Sequence, residues 1–294
     1  MKGTRMAALP DFLAVEVPPS PRDKARFEII PAPFEKSVSY GHGTAAGPAA
    51  LLAASQQLEA FDGTGYPARS GIYTGPAVDC RGTAAAALKR IEKRTAEALA
   101  GGRIPVVLGG EHTVSLAPIR ALAKTGARFG VVQFDAHADL RSVFQGNVLS
   151  HACVMRRVVE ELDVPLFQIG CRANSREEED FRKARGIPFL DAEAFAMNGM
   201  PKRLLPAGFP KTIYISFDVD GLDPSIMPGT GTPVPGGLMW YDALRLLRLV
   251  SAGRRLAGFD VVELAPLPGS PISEFTAARL TYFLMGLALA DGEA

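Results

Sequence analysis

The sequence predicts an α/β fold with three αβα layers around a mostly parallel central sheet. Two observations lead there. Short apolar runs rich in β-branched and aromatic residues recur, as at 104–108, 129–134 and 212–217, and read as buried strands. Stretches of helical periodicity lie between them, so strand and helix alternate, which is the pattern of a parallel sheet covered on both faces.

The elements follow in order. Residues 27–30 form a first strand, and 43–61 a helix that tolerates Pro48 in its first turn. A helix over 83–100 places Leu88, Ile91, Ala98 and Leu99 on one side, and Gly101-Gly102 stops it. The strand at 104–108, a helix over 115–124 and the strand at 129–134 come next. A loop then runs to Ser150, ahead of a helix over 151–162 and a strand at 166–170. Ser175-Arg176-Glu177-Glu178 is a capping-box signature for a helix that Gly186 ends, and its many charges read as a solvated face. Strands near Ile187 and Thr212, a helix over 238–250, a last strand at 256–262 and a helix over 274–290 complete the chain. No internal repeat, linker or composition break appears, so residues 1–294 are expected to form one domain.

Composition narrows the partners. At 47% hydrophobic residues the chain supports a sizeable core, and only a short N-terminal segment is expected to lack order. A net charge of +1 leaves no basic stripe, so no nucleic-acid partner is expected. Cys80, Cys153 and Cys171 are odd in number and widely spaced, which fits a reducing compartment better than a disulfide framework. Asp11 and Glu16 argue against a secretory signal, and no apolar run approaches the ~18 residues needed for a membrane span. The expected location is the cytoplasm.

Chemistry concentrates at strand ends. Asp135-Ala-His137-Ala-Asp139 follows one apolar run and Asp218-Val-Asp220 ends another. A third runs into Gly109-Gly-Glu-His112, and Glu263 follows the last strand. Carboxylates in such places are costly to desolvate unless a cation meets them. In an extended chain Asp135, His137 and Asp139 share one face, as do Asp218 and Asp220. Six oxygen and nitrogen donors suffice for two metal ions, and a set without thiolate suits Mn²⁺ better than structural Zn²⁺. In open parallel sheets ligands bind beyond the carboxyl ends of the strands, where all these residues stand. The loop 220–237 is rich in glycine and proline, which implies an ordered, irregular path. Leu222 and Asp223 occupy positions where a calcium loop needs a donor and a glycine, and Gly229-Thr-Gly231 opens no helix as a dinucleotide fingerprint would.

Together, Gly-Gly-Glu-His112, Asp135-Ala-His-Ala-Asp139, Ser216-Phe-Asp-Val-Asp220 and Pro-Gly-Thr-Gly-Thr-Pro233 resemble the ureohydrolase family of arginases and agmatinases. The likeness runs from Gly43 to Glu263 and implies an arginase-like fold with two Mn²⁺ per subunit. It implies that His112, Asp135, Asp139 and Asp218 hold one ion, and Asp135, His137, Asp218 and Asp220 the other, with Asp135 and Asp218 bridging. It further implies that Glu263 pairs with a guanidinium, that Asp139 carries a proton to the departing amine, and that His151, behind a flexible loop over 141–150, shuttles protons. A metal-bridging hydroxide would attack the guanidinium carbon and release urea and an amine.

Agmatine, giving putrescine on a polyamine route, is the expected substrate. The segment after Asp139 lacks the serine and asparagine pattern with which arginases grip an amino-acid carboxylate. Arg141 cuts the other way, as a candidate substrate-binding residue suited to a carboxylate, which makes arginine or a guanidino acid the alternative. A catalytically silent metal-binding relative is the remaining reading. His42 stands either at the substrate mouth or in a structural role. After Glu263 the chain reads Leu-Ala-Pro-Leu-Pro-Gly-Ser-Pro, a departure from the family's common Asn-Pro form that falls at the pocket rim. The resemblance also implies a homo-oligomer, trimer or hexamer.

Overall fold

Eight strands form one sheet in the computed structural model, which describes residues 9–290. The N-terminal segment expected to lack order lies outside the described residues. The strands are β1 (Phe27–Ala32), β2 (Ile72–Thr74), β3 (Ile104–Gly109), β4 (Gly130–Phe134), β5 (Leu166–Ile169), β6 (Phe189–Leu190), β7 (Thr212–Asp218) and β8 (Arg255–Val262). Their spatial order is β2-β1-β3-β8-β7-β4-β5-β6, and every pairing is parallel, so the sheet is more uniform than predicted.

The helices are α1 (Gly47–Ala54), α2 (Ala84–Ala100), α3 (Leu116–Ala123), α4 (Val154–Leu162), α5 (Arg176–Arg185), α6 (Ala192–Asn198), α7 (Trp240–Ser251) and α8 (Ile272–Ala290). Side chains alternate across the strands, and the two faces bury separate apolar layers. Val132, Phe134, Ile215, Phe217, Phe259 and Val261 pack with α1, α7 and α8. Val107, Val131, Tyr214 and Ala257 pack with α2, α3, α4 and α5 on the other side. Phe134 and Phe217 stack at 5.0 Å between ring centroids at the last paired position of β4 and β7, giving the site above them a rigid floor.

Several expectations need revision. The helix over 43–61 is α1 alone, flanked by 3-10 turns at Thr44–Ala46 and Ser55–Gln57. The helix over 151–162 likewise opens with a 3-10 turn at His151–Cys153. The strand near Ile187 is a two-residue edge, and β2 and α6 are too short to stand out in the sequence pattern. Ser175 caps α5 through both arms of a capping box, and Gly186 ends it in the left-handed region, as predicted. The same helix is not wholly solvated, however: the Arg182 side chain is fully buried.

The register explains why the site forms where it does. The four central strands are β3, β8, β7 and β4, and pairings such as Phe134↔Phe217, Asp218↔Val262 and Leu108↔Val261 align their carboxyl ends. Residues from four distant stretches of chain therefore leave the sheet side by side.

Candidate metal centre

His112 enters from a 3-10 turn after β3. Its Nδ1 lies 3.0 Å from Asp135 Oδ2, 3.0 Å from Asp139 Oδ2 and 3.2 Å from Asp218 Oδ2. No hydrogen-bond geometry is met with any of them, and the atom is sealed from solvent. A buried nitrogen converging with three carboxylate oxygens, and bonded to none, is the arrangement of a ligand around a cation. The ring's other nitrogen is 2.9 Å from Ser216 Oγ, which donates to Asp260 Oδ1, while Tyr214 donates to Asp260 Oδ2. That chain places the ring proton on Nε2 and turns the Nδ1 lone pair toward the carboxylates.

A second group adjoins the first. His137 Nδ1 lies 3.5 Å from Asp135 Oδ1 and 3.1 Å from Asp220 Oδ2. Asp135 is therefore shared, with one oxygen toward each group. The structure brings all six expected donors together, but not through extended chain. Asp135 Oδ1 accepts from His137 N at 2.7 Å, and Asp139 adopts φ +53°. Asp218 Oδ1 accepts from Asp220 N inside a 3-10 turn. The segments curl about their first carboxylate, and alternate spacing was the right signal for a different local reason. Asp218 Oδ1 is engaged in its turn just as Asp135 Oδ1 is, and Asp218 Oδ2 faces His112.

The electrostatics fit a divalent pair. Burial and the Asp135 charge raise Asp139 to about 7, and burial with Asp220 and Asp135 raises Asp218 well above the carboxylate range. Burial alone would lower His112 and His137, yet the carboxylates outweigh it, lifting His112 well up and His137 to about 12. Four acids and two imidazoles thus crowd together with too little positive charge. The donor set accommodates two hard or borderline divalent cations.

Glu263, also at positive φ (+64°), accepts from His112 N at 2.6 Å and borders the void above the cluster. Burial raises its carboxyl well above the usual range. A positive φ costs about 1–2 kcal/mol in a residue with a side chain, so two such residues in one cleft point to a functional constraint. His151 lines the same void with Nδ1 buried and unbonded, and burial lowers it. The loop over 141–150 is tied by Arg141 N to Ala152 O, Ser142 N to Glu177 and a bridge between Phe144 and Asn147. Arg141 faces an adjoining void of about 170 Å³, 3.9 Å from Glu178 and over the Phe144 ring. His42 is exposed, pairs with Glu35 at 3.2 Å and lines neither void, which favours its structural reading.

Sequence reasoning missed the supports. Glu111 is fully buried and accepts from Lys36 N, Ser37 N and the hydroxyls of Ser37 and Thr113. It thereby fixes the loop that continues through Tyr40 and Gly41 over the void, and Ser37 Oγ accepts from His151 N. Asp260, a carboxylate inside a run read as a strand, was a visible signal; Gln133, an uncharged amide inside another, was not.

Residues 25–286 match the family model described as "Arginase family". The chain is 40% identical over 268 residues to an N(1)-aminopropylagmatine ureohydrolase of Synechocystis sp., covering 88% of this chain and 87% of that one. An agmatinase of Pyrococcus horikoshii is 30% identical over 284 residues, 93% and 96% of the two chains. The solved agmatine ureohydrolase of Thermoplasma volcanium superposes with a TM-score of 0.84 at 28% identity, covering 98% of each chain.

Proposed function

Because the chain belongs to the arginase family, we propose that it hydrolyses a guanidinium C–N bond, releasing urea and an amine, with two Mn²⁺ held by His112, Asp135, Asp139, Asp218, His137 and Asp220. The observation that carries this reading is the shared Asp135, whose two oxygens face two separate imidazole–carboxylate groups. Such a pair of ions, when bound, acidifies water and supplies a nucleophile near neutral pH.

The chain's own residues then have definable tasks. Glu263 receives the guanidinium: a carboxyl pushed up by burial ionises when a cation arrives beside it, so binding and ionisation reinforce each other. Holding the guanidinium plane in place matters because its resonance makes the carbon a poor electrophile. Asp139 borders the void and passes a proton to the departing amine. His151, unbonded at Nδ1 and held largely neutral by burial, accepts a proton on the other side of the void. The loop carrying Tyr40 and Gly41 closes against Gly231 and limits water access.

For the substrate, similarity to the Synechocystis enzyme favours N1-aminopropylagmatine, and the adjoining 170 Å³ void offers room for a longer tail. Agmatine, the expectation from sequence, is the second reading, supported by the Pyrococcus relative. Arginine and guanidino acids are disfavoured, since Arg141 already stands beside Glu178 and over Phe144. The test is urea release by Mn²⁺-loaded protein from N1-aminopropylagmatine, agmatine, arginine and 4-guanidinobutyrate in parallel. Urea is expected from the first two; none from any member of the panel overturns the reading.

A further inference from the structure

A buried polar chain reaches the shared carboxylate from α5, along β5 and β4. Arg182 Nη1 donates to both oxygens of Asp191 at 3.0 Å, and Arg182 Nε donates to Gln168 Oε1 at 3.1 Å. Gln168 Nε2 donates to Gln133 Oε1 at 2.6 Å and to Ala138 O at 2.7 Å. Gln133 Nε2 donates in turn to Asp135 Oδ2 at 2.7 Å and reaches His137 O at 3.3 Å. Gln133, Gln168 and the Arg182 side chain are sealed from solvent.

The direction of this chain is not free. A guanidinium can only donate, so Gln168 must turn its oxygen to Arg182 and its amide nitrogen to Gln133. Gln133 must then present its own nitrogen to Asp135. Without Gln168 behind it, only the Asp135 charge itself would hold the Gln133 nitrogen forward, and the amide would be free to swing away from it. Both amides also hold carbonyls of the loop that delivers Asp135, His137 and Asp139.

We infer that Arg182, through Gln168 and Gln133, is a positioning residue for the metal centre: it fixes the polarity of two amides so that Asp135 is held with Oδ2 toward His112 and Oδ1 toward His137. The inference rests on the reading of Asp135 as a ligand shared by two ions.

Gln168→Glu separates polarity from charge. The introduced carboxylate, once ionised, still accepts from Arg182 but cannot donate, so Gln133 turns to donate to it and presents its oxygen to Asp135. Added negative charge by itself predicts tighter Mn²⁺ binding, whereas reversed polarity predicts binding weaker by about tenfold or more, the usual scale for outer partners of metal ligands. Mn²⁺ affinity is read on metal-stripped protein from the electron paramagnetic resonance signal of the free ion. The melting temperature of the metal-free protein is measured alongside, and Gln133→Leu, expected to weaken binding similarly, stands in if the first variant does not fold. Unchanged or tighter binding in a folded variant overturns the inference, as does a lowered melting temperature with unchanged affinity. Wild-type protein that binds no Mn²⁺ overturns the proposed function along with it.

Discussion

At the scale of single residues, the centre depends on groups placed where they are unfavourable alone. Asp139 and Glu263 hold left-handed backbone, and Glu263 is a buried carboxyl with no cationic side chain among the described residues bonded to it. Both costs make sense if a cation arrives. Glu263→Gln keeps the shape and the His112 N–H bond but loses the charge proposed to meet a guanidinium. The expected result is a fall in kcat/KM of about 10²-fold, comparable to loss of one charge-stabilising contact in an active site. Mn²⁺ content should stay at the wild-type level, which metal analysis of the purified variant checks. The six clustered donors were legible in sequence because carboxylates and imidazoles ending apolar runs have few bland explanations. Gln133, Gln168 and Arg182 were not, because an uncharged amide in a strand or an arginine among helix charges looks like ordinary surface until its neighbours are known.

Elements carry the next layer of constraint. The loop over the void meets the glycine-rich loop at Gly41 and Gly231, where Gly41 N donates to Gly231 O at 3.1 Å. A Cβ at Gly41 would stand 2.7 Å from that oxygen, closer than a side chain tolerates. Gly41→Ala should therefore push the loops apart and lower kcat/KM by about tenfold or more, since small misplacements near a reacting centre are costly. The fold should persist, and an unchanged kcat/KM would show that loop contact is unimportant.

Elsewhere in the same sheet, Glu28 of β1 is sealed and bonded to Arg22, Arg94 and Arg103. Burial would raise its pKa, but hydrogen bonds from Arg22 and Arg103 outweigh it and hold the carboxyl below its ordinary 4.5. A depressed carboxylate contributes stability above the unfolded value and loses it as pH falls through the folded one. Glu28→Gln should cost about 3 kcal/mol at pH 7, as expected when one partner of a buried pair is removed. The gap from wild type should shrink as pH falls below 4.5, which urea unfolding across that range measures.

For the whole molecule, topology decides that the centre exists at all. β3 and β4 are consecutive strands in sequence yet lie three places apart in the sheet, with β8 and β7 inserted between them. That insertion puts His112, Asp135, Asp218 and Glu263 at four adjacent strand ends. A fold that gathers four carboxylates without a matching cation stores repulsion, so a divalent ion should stabilise the native state beyond the cleft itself. Saturating Mn²⁺ at about 100 times its dissociation constant should add about 2.7 kcal/mol by mass action. The melting temperature should rise with MnCl₂ and fall with a chelator; an equal value in both would argue against a native-state metal site. No helix among the described residues is long and apolar enough to cross a membrane.

The amino-acid order alone gave the alternation of strand and helix and pointed to the strand ends and the six residues that cluster there, since these depend on local periodicity and on the cost of charge beside apolar chain. Tertiary structure decided the rest: the fully parallel strand order, the curl that turns Asp135 toward two groups at once, the burial of Arg182 and the outward placement of His42. Those outcomes are set by contacts between residues distant along the chain, such as Arg182 with Gln168 or β3 with β8, and no local pattern encodes which distant neighbour a side chain will meet.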